Sequence, residues 1–169
     1  MGSDLNIIGI DPGHDGAIVE LSSSGEVLDI FDMPTYNTGK GSRRAYDLPR
    51  LKERFMLMDN ECVVFIEDIK SLPPGIRIQA TYSLGYCRGI LEMGSVMRSI
   101  RYEFVRALIW QKHFGISKHK GDKKKQSYTI ASQLFPSSEL KTKRGRILDG
   151  RADALLIAEW GRRHLEGGL

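Results

Sequence analysis

Four carboxylates in this chain stand where acids are either costly or specifically spaced. Asp11 ends the apolar run Ile7-Ile8-Gly9-Ile10, and Glu67 ends another at residues 62–66. A carboxylate at the end of a buried strand costs free energy unless something pairs with it. Asp149 and Asp153 are four residues apart in a stretch of helical spacing, so they share one helix face about a turn apart. Four hard oxygen donors without a His/Cys cluster suit Mg²⁺ or Mn²⁺. Two such ions, about 3.5–4 Å apart, activate water and stabilise the leaving oxygen of a phosphodiester. Each acid also has a plainer reading. Asp11 could begin the Pro12-Gly13 turn, and Glu67 could pair with a nearby Lys or Arg. Asp149 could only cap its helix, and Asp153 could pair with Arg151 or Arg162. Two strand ends plus one helix face is a more specific pattern than any one acid.

The basic residues give the acids something to act on. Residues 1–100 hold 10 Lys/Arg against 14 Asp/Glu, and residues 101–169 hold 15 against 7, so the halves carry −4 and +8. Folded as one domain, the chain presents a basic face beside an acidic centre, which suits a polyanion such as nucleic acid. Lys123, Lys124 and Lys125 fall in the first turn of an expected helix. Positive charge there opposes the helix dipole, while the helix N–H groups favour an anion. The triplet therefore reads as a phosphate contact, its rival being a solvated charge run. Lys118 and Lys120 precede it, and Lys141, Lys143, Arg144 and Arg146 lead into the C-terminal acids. Lys and Arg on both sides of an acidic metal site suit cleavage of a DNA backbone.

The elements that must position these groups follow from periodicity. Residues 6–21 read as strand, Pro12-Gly13 turn and return strand, and residues 26–32 alternate as a third. These three form an antiparallel meander. A polar loop at 33–44 with Lys40, Arg43 and Arg44 precedes a helix at 47–58, which Asp47 can cap with Pro49 in its first turn. The continuous apolar run 62–66 suits a strand covered on both faces. A loop at 71–75 leads to a long helix over 76–97. Its Gly85 and Gly89 share a face and invite close approach of another backbone, within the fold or across a dimer. A short strand at 102–105 and helices at 107–114, 122–135 and 147–165 complete the chain. The sum is an α/β single domain over residues 1–169. Cys62 and Cys87 read as core residues in a reducing compartment. No apolar run reaches membrane-span length and no signal peptide is apparent, so a cytoplasmic protein is expected.

The order of motifs resembles that of RuvC-type Holliday junction resolvases of the RNase H-like superfamily. IGIDPG (8–13) resembles the family's opening strand, FIED (65–68) its second acidic strand, and SLGYCRG (83–89) its glycine-marked interface helix. DGRADALLIA (149–158) resembles its terminal acidic helix. WQKHFGI (110–116), GDKKKQS (121–127) and LFP (134–136) look more like the phage and virus branch. The resemblance implies an RNase H-like mixed five-stranded sheet, an antiparallel meander plus parallel strands, flanked by helices. It implies that Asp11, Glu67, Asp149 and Asp153 bind two Mg²⁺ ions and that Lys123 or a neighbouring lysine assists at the scissile phosphate. It further implies a homodimer that nicks four-way junctions symmetrically, leaving 5′-phosphate and 3′-hydroxyl ends, in the host cytoplasm if phage-encoded. Two features depart from the bacterial pattern. The last aspartates are four apart rather than three, and residues 69–72 lack the aromatic that those enzymes carry there. The rival readings are a related nuclease acting on flaps or RNA–DNA hybrids, and a non-catalytic branched-DNA-binding protein.

Overall fold

The computed structural model describes residues 5–39, 41, 43–69 and 78–167. The expectations for Lys40, for the loop at 71–75 and for residues 70–72 lie outside them, as do the first two residues of the expected long helix. Strands β1 (Asn6–Ile10), β2 (Ala17–Leu21) and β3 (Val27–Asp32) form the expected antiparallel meander. Helix α1 (Leu48–Leu57) then crosses to β6 (Cys62–Asp68), which pairs parallel to β1. Helix α2 (Ile78–Met97) crosses to β7 (Arg101–Arg106), parallel to β6. The five-stranded sheet therefore runs β3-β2-β1-β6-β7, with β1 at its centre.

The loop expected at 33–44 is corrected in part. It contains a two-stranded hairpin, β4 (Thr35–Asn37) with β5 (Arg44–Tyr46). Helices α3 (Ala107–His113), α4 (Lys123–Leu134) and α5 (Asp149–Leu165) follow, with a 3₁₀ turn at Lys118–Lys120 between α3 and α4. Asp47 caps α1 by accepting from the Arg50 N–H at 3.2 Å, and a proline occupies its first turn.

The central strands are apolar over residues 7–10 and 62–66 because both faces are covered there. Ile8, Ile10, Val64 and Ile66 pack under α1 and α2 with Leu51, Phe55, Cys87 and Leu91. Ile7, Val63 and Phe65 pack on the other face, against α5 and with Trp110 and Ala131. Each such side chain contributes about 1.5–3 kcal/mol on burial. Both cysteines are free and buried, as expected. Helix α5 lies closest to the sheet because small residues meet there. A Cβ on Gly9 would come within 2.8 Å of Ala158 Cα and nearer still to the Ala154 carbonyl. Helix α2 is different. It leaves Ile78, Tyr82, Met93, Val96 and Met97 exposed, and among the described residues a Cβ on Gly85 or Gly89 would meet nothing within 4 Å. Those glycines therefore serve no close packing against the described residues of this chain. Among the described residues no helix is long and apolar enough to cross a membrane.

Candidate active site

The register of the central strands brings the first two acids together. Ile10 pairs with Ile66 in the parallel ladder, so Asp11 and Glu67 come next to one another at adjacent strand ends. Side chains alternate across a sheet. Ile10 and Ile66 point toward α1 and α2, so Asp11 and Glu67 point toward α5. Asp68 points back again, and Arg88 of α2 pairs with it at 3.0 Å.

Helix α5 delivers the second pair. Its first turn meets the loop after β1 at a bridge between Gly16 and Gly150, where a Cβ on Gly150 would strike the Asp15 carbonyl. Arg151 fastens the same turn to the end of β3 through two hydrogen bonds to Asp32, 2.6 and 2.8 Å, and a third to the Glu139 carbonyl at 2.9 Å. Asp149 is the first residue of α5 and Asp153 lies one turn on. The plainer readings can now be weighed. Arg151 is taken by Asp32 and Arg162 by Glu159 and Glu166, so neither pairs with Asp153. Asp149 is not the N-cap; Leu148 holds that position. Asp11 does serve its turn, accepting from the Gly13 N–H at 3.0 Å, and it also faces the other acids.

The electrostatics tie the acids into one cluster. Burial pushes the Asp11 carboxyl up to about 6, offset by the Gly13 hydrogen bond and then raised by the Asp149 charge. Burial, then the charges of Asp11 and Asp153, push Glu67 up to about 8. Burial and then Asp11 push Asp153 up to about 7, against a hydrogen bond with Ser127. Asp153 Oδ1 is buried without a hydrogen-bond partner among the described residues. A buried carboxylate oxygen left so costs free energy until a proton or cation meets it. Among the described residues no three His, Cys, Asp or Glu side chains stand close enough together to hold a metal ion as they are placed. Mutual penalties among hard oxygen donors, together with the orphaned Asp153 oxygen, fit a site that receives divalent cations.

Helix α4 faces this cluster with its N-terminus. Asp122 caps it, accepting from the Lys124 N–H at 2.9 Å. Lys124 Nζ forms an ion pair with Asp149. Lys123 Nζ donates to Gln111 Oε1 at 2.6 Å and lowers the cost of charging Glu67. Lys124, and with it Ser127, were not singled out as partners of individual acids by sequence reasoning. The 123/124/127 spacing on one helix face was the available signal. The remaining basic residues spread around the site. Lys118 and Lys120 are exposed in the 3₁₀ turn, and Lys125 is exposed on α4. Lys141, Lys143, Arg144 and Arg146 are exposed on the loop before α5, where Lys141 Nζ lies 4.6 Å from the centre of the Tyr128 ring. Arg146 lines a cleft of about 240 Å³ with Asp149, Arg44 and His14. The structure thus brings Lys123, Lys124 and Arg146 to the acids and leaves the others on the approaches.

Two further side chains brace the loop after Asp11. Tyr46 of β5 donates from its hydroxyl to the Pro12 carbonyl at 3.1 Å. His14 Nε2 and Ser83 Oγ of α2 are hydrogen-bonded at 3.0 Å, and the His14 ring sits 4.5 Å from that of Tyr46.

This arrangement of sheet, crossing helices and strand-end acids can be set against known structures. RuvC from T. thermophilus in complex with a Holliday junction substrate superposes with a TM-score of 0.63, covering 97% of both chains at 12% identity. The fold is RNase H-like. A second Thermus thermophilus RuvC structure gives a TM-score of 0.57 at 13% identity, covering 97% of this chain and 98% of that one. No protein-family model and no curated protein matches the sequence.

Proposed function

We propose that this chain is a metal-dependent endonuclease that nicks branched DNA, four-way junctions above all, as a homodimeric Holliday junction resolvase. The observation that carries the reading is the gathering of Asp11, Glu67, Asp149 and Asp153 from three elements onto one face, with the lysine-bearing end of α4 against them. The RuvC-like course of the whole chain supports the same reading. Divalent ions held by the four acids, Mg²⁺ with Mn²⁺ as a substitute, would supply Lewis-acid polarisation of the scissile phosphodiester and its attacking water.

The chain's own residues do the rest. Asp11 and Glu67 are fixed by the β1–β6 register, so their oxygens are presented without rearrangement of the backbone. Asp153, braced by Ser127 on one side, keeps its second oxygen free for the incoming charge. Lys124 neutralises Asp149 at rest. With Asp149 as one of the residues that would hold a divalent ion, the Lys124 ammonium group would be available to a phosphate oxygen. Lys123, steadied by Gln111, stands beside Glu67 to do the same from the other flank. The exposed Lys118, Lys120, Lys125, Lys141, Lys143, Arg144 and Arg146 would hold the flanking phosphates.

The uncovered apolar face of α2, with room at Gly85 and Gly89, supports an isologous dimer. Two sites related by its two-fold axis match a two-fold-symmetric junction. Recognition would then rest on junction shape and deformability rather than on base contacts. The motifs at 110–116 and 121–127 support the phage and virus branch, with the host cytoplasm as the place of work. A cleavage panel tests the reading: a four-way junction, a flap, an RNA–DNA hybrid and a linear duplex, each with Mg²⁺. Preferred cutting of the junction is expected. Equal cutting of flap or hybrid would make the protein a more general nuclease, and junction binding without cutting in Mg²⁺ would make it a non-catalytic binder.

A further inference from the structure

A cleft of about 1020 Å³ opens between the β4–β5 hairpin and the first turns of α2. Its walls are unusual for a protein surface. Tyr36, Tyr82 and Tyr86 line it while 53%, 75% and 45% exposed. The Tyr82 and Tyr86 rings are nearly parallel, 8° apart in plane with centroids 6.3 Å apart. Arg43 and Arg44 stand among them, and no Asp or Glu lines the cleft among the described residues. Arg44 is held to Asp15 at 3.0 Å, whereas Arg43 has no side-chain partner among the described residues. The cleft also adjoins the candidate active site. His14 and Arg44 line both this cleft and the narrower one that reaches Asp149.

We propose that this cleft is a subsite for unpaired nucleotides of the DNA strand that runs on from the carboxylate cluster. The proposal rests on the DNA-cleaving reading above and adds a ligand class that the acids and lysines do not specify. Exposed aromatic rings beside arginines offer the two things a single strand needs, π-faces for bases and cations for its backbone. A base inside a stacked duplex has no free face to offer a recessed tyrosine; an unstacked one does. A second copy of the chain is the competing occupant. In an isologous contact residue i of the patch meets residue j and j meets i, and a lining with no Asp or Glu among the described residues offers the unpaired Arg43 no acid on the other copy. Tyr36 is on β4 and Arg43 just precedes β5, so this wall of the cleft is not part of α2, whereas Tyr82 belongs to the exposed face of that helix as well.

The test is a fluorescence-anisotropy titration in EDTA with two labelled junctions. One carries two unpaired thymines at the crossover, and its twin carries abasic sites in their place. Wild type is expected to bind the thymine junction about ten-fold more tightly than the abasic twin, within the range that base–aromatic stacking gives. Tyr36→Ala is expected to abolish that ratio and Tyr36→Phe to keep it. Arg43→Ala is expected to weaken both junctions equally and reduce the salt dependence by about one phosphate contact. Equal wild-type affinity for the two junctions overturns the subsite and leaves the functional reading standing. A ratio that survives in both Tyr36→Ala and Tyr86→Ala also overturns it. Failure of wild type to bind either junction sinks the functional reading first, and the subsite with it. If light scattering finds Tyr36→Ala shifted from dimer to monomer, the cleft is a subunit contact and the proposal is wrong.

Discussion

Glu67→Gln removes the acid whose ionisation the fold resists most. Burial, then the charges of Asp11 and Asp153, lift its carboxyl from 4.5 to about 8, with Lys123 working the other way. Below pH 4.5 the folded and unfolded chains both carry the proton, so Glu67 costs nothing. Between 4.5 and 8 only the unfolded chain gives its proton up, and stability falls as pH rises; above 8 the loss is complete. At about 1.36 kcal/mol per pH unit the full span approaches 5 kcal/mol, and relaxation of a partly exposed site brings the expected loss to about 2–5 kcal/mol. For a chain of this size each kcal/mol moves the melting temperature by about 2–4 °C. In EDTA, wild type should therefore lose about 5–15 °C more than Glu67→Gln between pH 5 and pH 9. The overall charge works in the opposite direction. It is +4 at pH 7 and falls toward zero as pH rises, which relieves self-repulsion. Mg²⁺ added at pH 8 should restore much of the wild-type loss and help Glu67→Gln far less. Melting curves of the two proteins that stay parallel across the pH range would refute the burial argument for this acid.

Three other outcomes follow from the packing. Gly9→Ala should cost about 1–3 kcal/mol, read as a lower urea midpoint at unchanged m-value, because its Cβ must displace α5. DNA cutting should fall with it, since Asp149 and Asp153 ride on that helix. Lys124→Ala should slow cutting at least about ten-fold while changing stability by less than about 1 kcal/mol, because the pair with Asp149 is partly solvent-exposed. Unchanged cutting would remove Lys124 from the site and leave Lys123 as the assisting lysine. Gly89→Arg should leave the melting temperature level or slightly raised at protein concentrations where wild type is monomeric too, since its Cβ meets nothing within 4 Å among the described residues and arginine favours helix over glycine by roughly 1 kcal/mol. At higher concentration it should convert the proposed dimer to monomer by light scattering; a dimer that persists would move the interface off this face of α2.

How much of this was legible in the sequence depends on how local each feature is. The carboxylates at 11 and 67 announced themselves by ending apolar runs, and those at 149 and 153 by helical spacing. The meander and the α/β class followed from the order of runs, and the mixed five-stranded sheet from the family resemblance. Features set by long-range register were not legible. Strands of three residues, as in the β4–β5 hairpin, are too short to display a period, so Tyr46 could not be seen to brace the Pro12 carbonyl. Nor does a run of three lysines say which one reaches Asp149. That is decided by the angle at which α4 packs on α5, and it selects Lys124. The glycines at 85 and 89 were open to more than one reading, and only the fold removes close packing against the described residues of this chain.

The central claim is that four acids from three elements form one phosphodiester-cleaving site. It is tested most directly by an end-labelled four-way junction incubated with Mg²⁺ and wild type, Asp11→Asn or Asp153→Asn, with binding followed in parallel. Wild type should place paired nicks at symmetry-related positions on opposite strands, and both variants should bind the junction without cutting it. Cutting by either variant at the wild-type rate would contradict the claim at that residue.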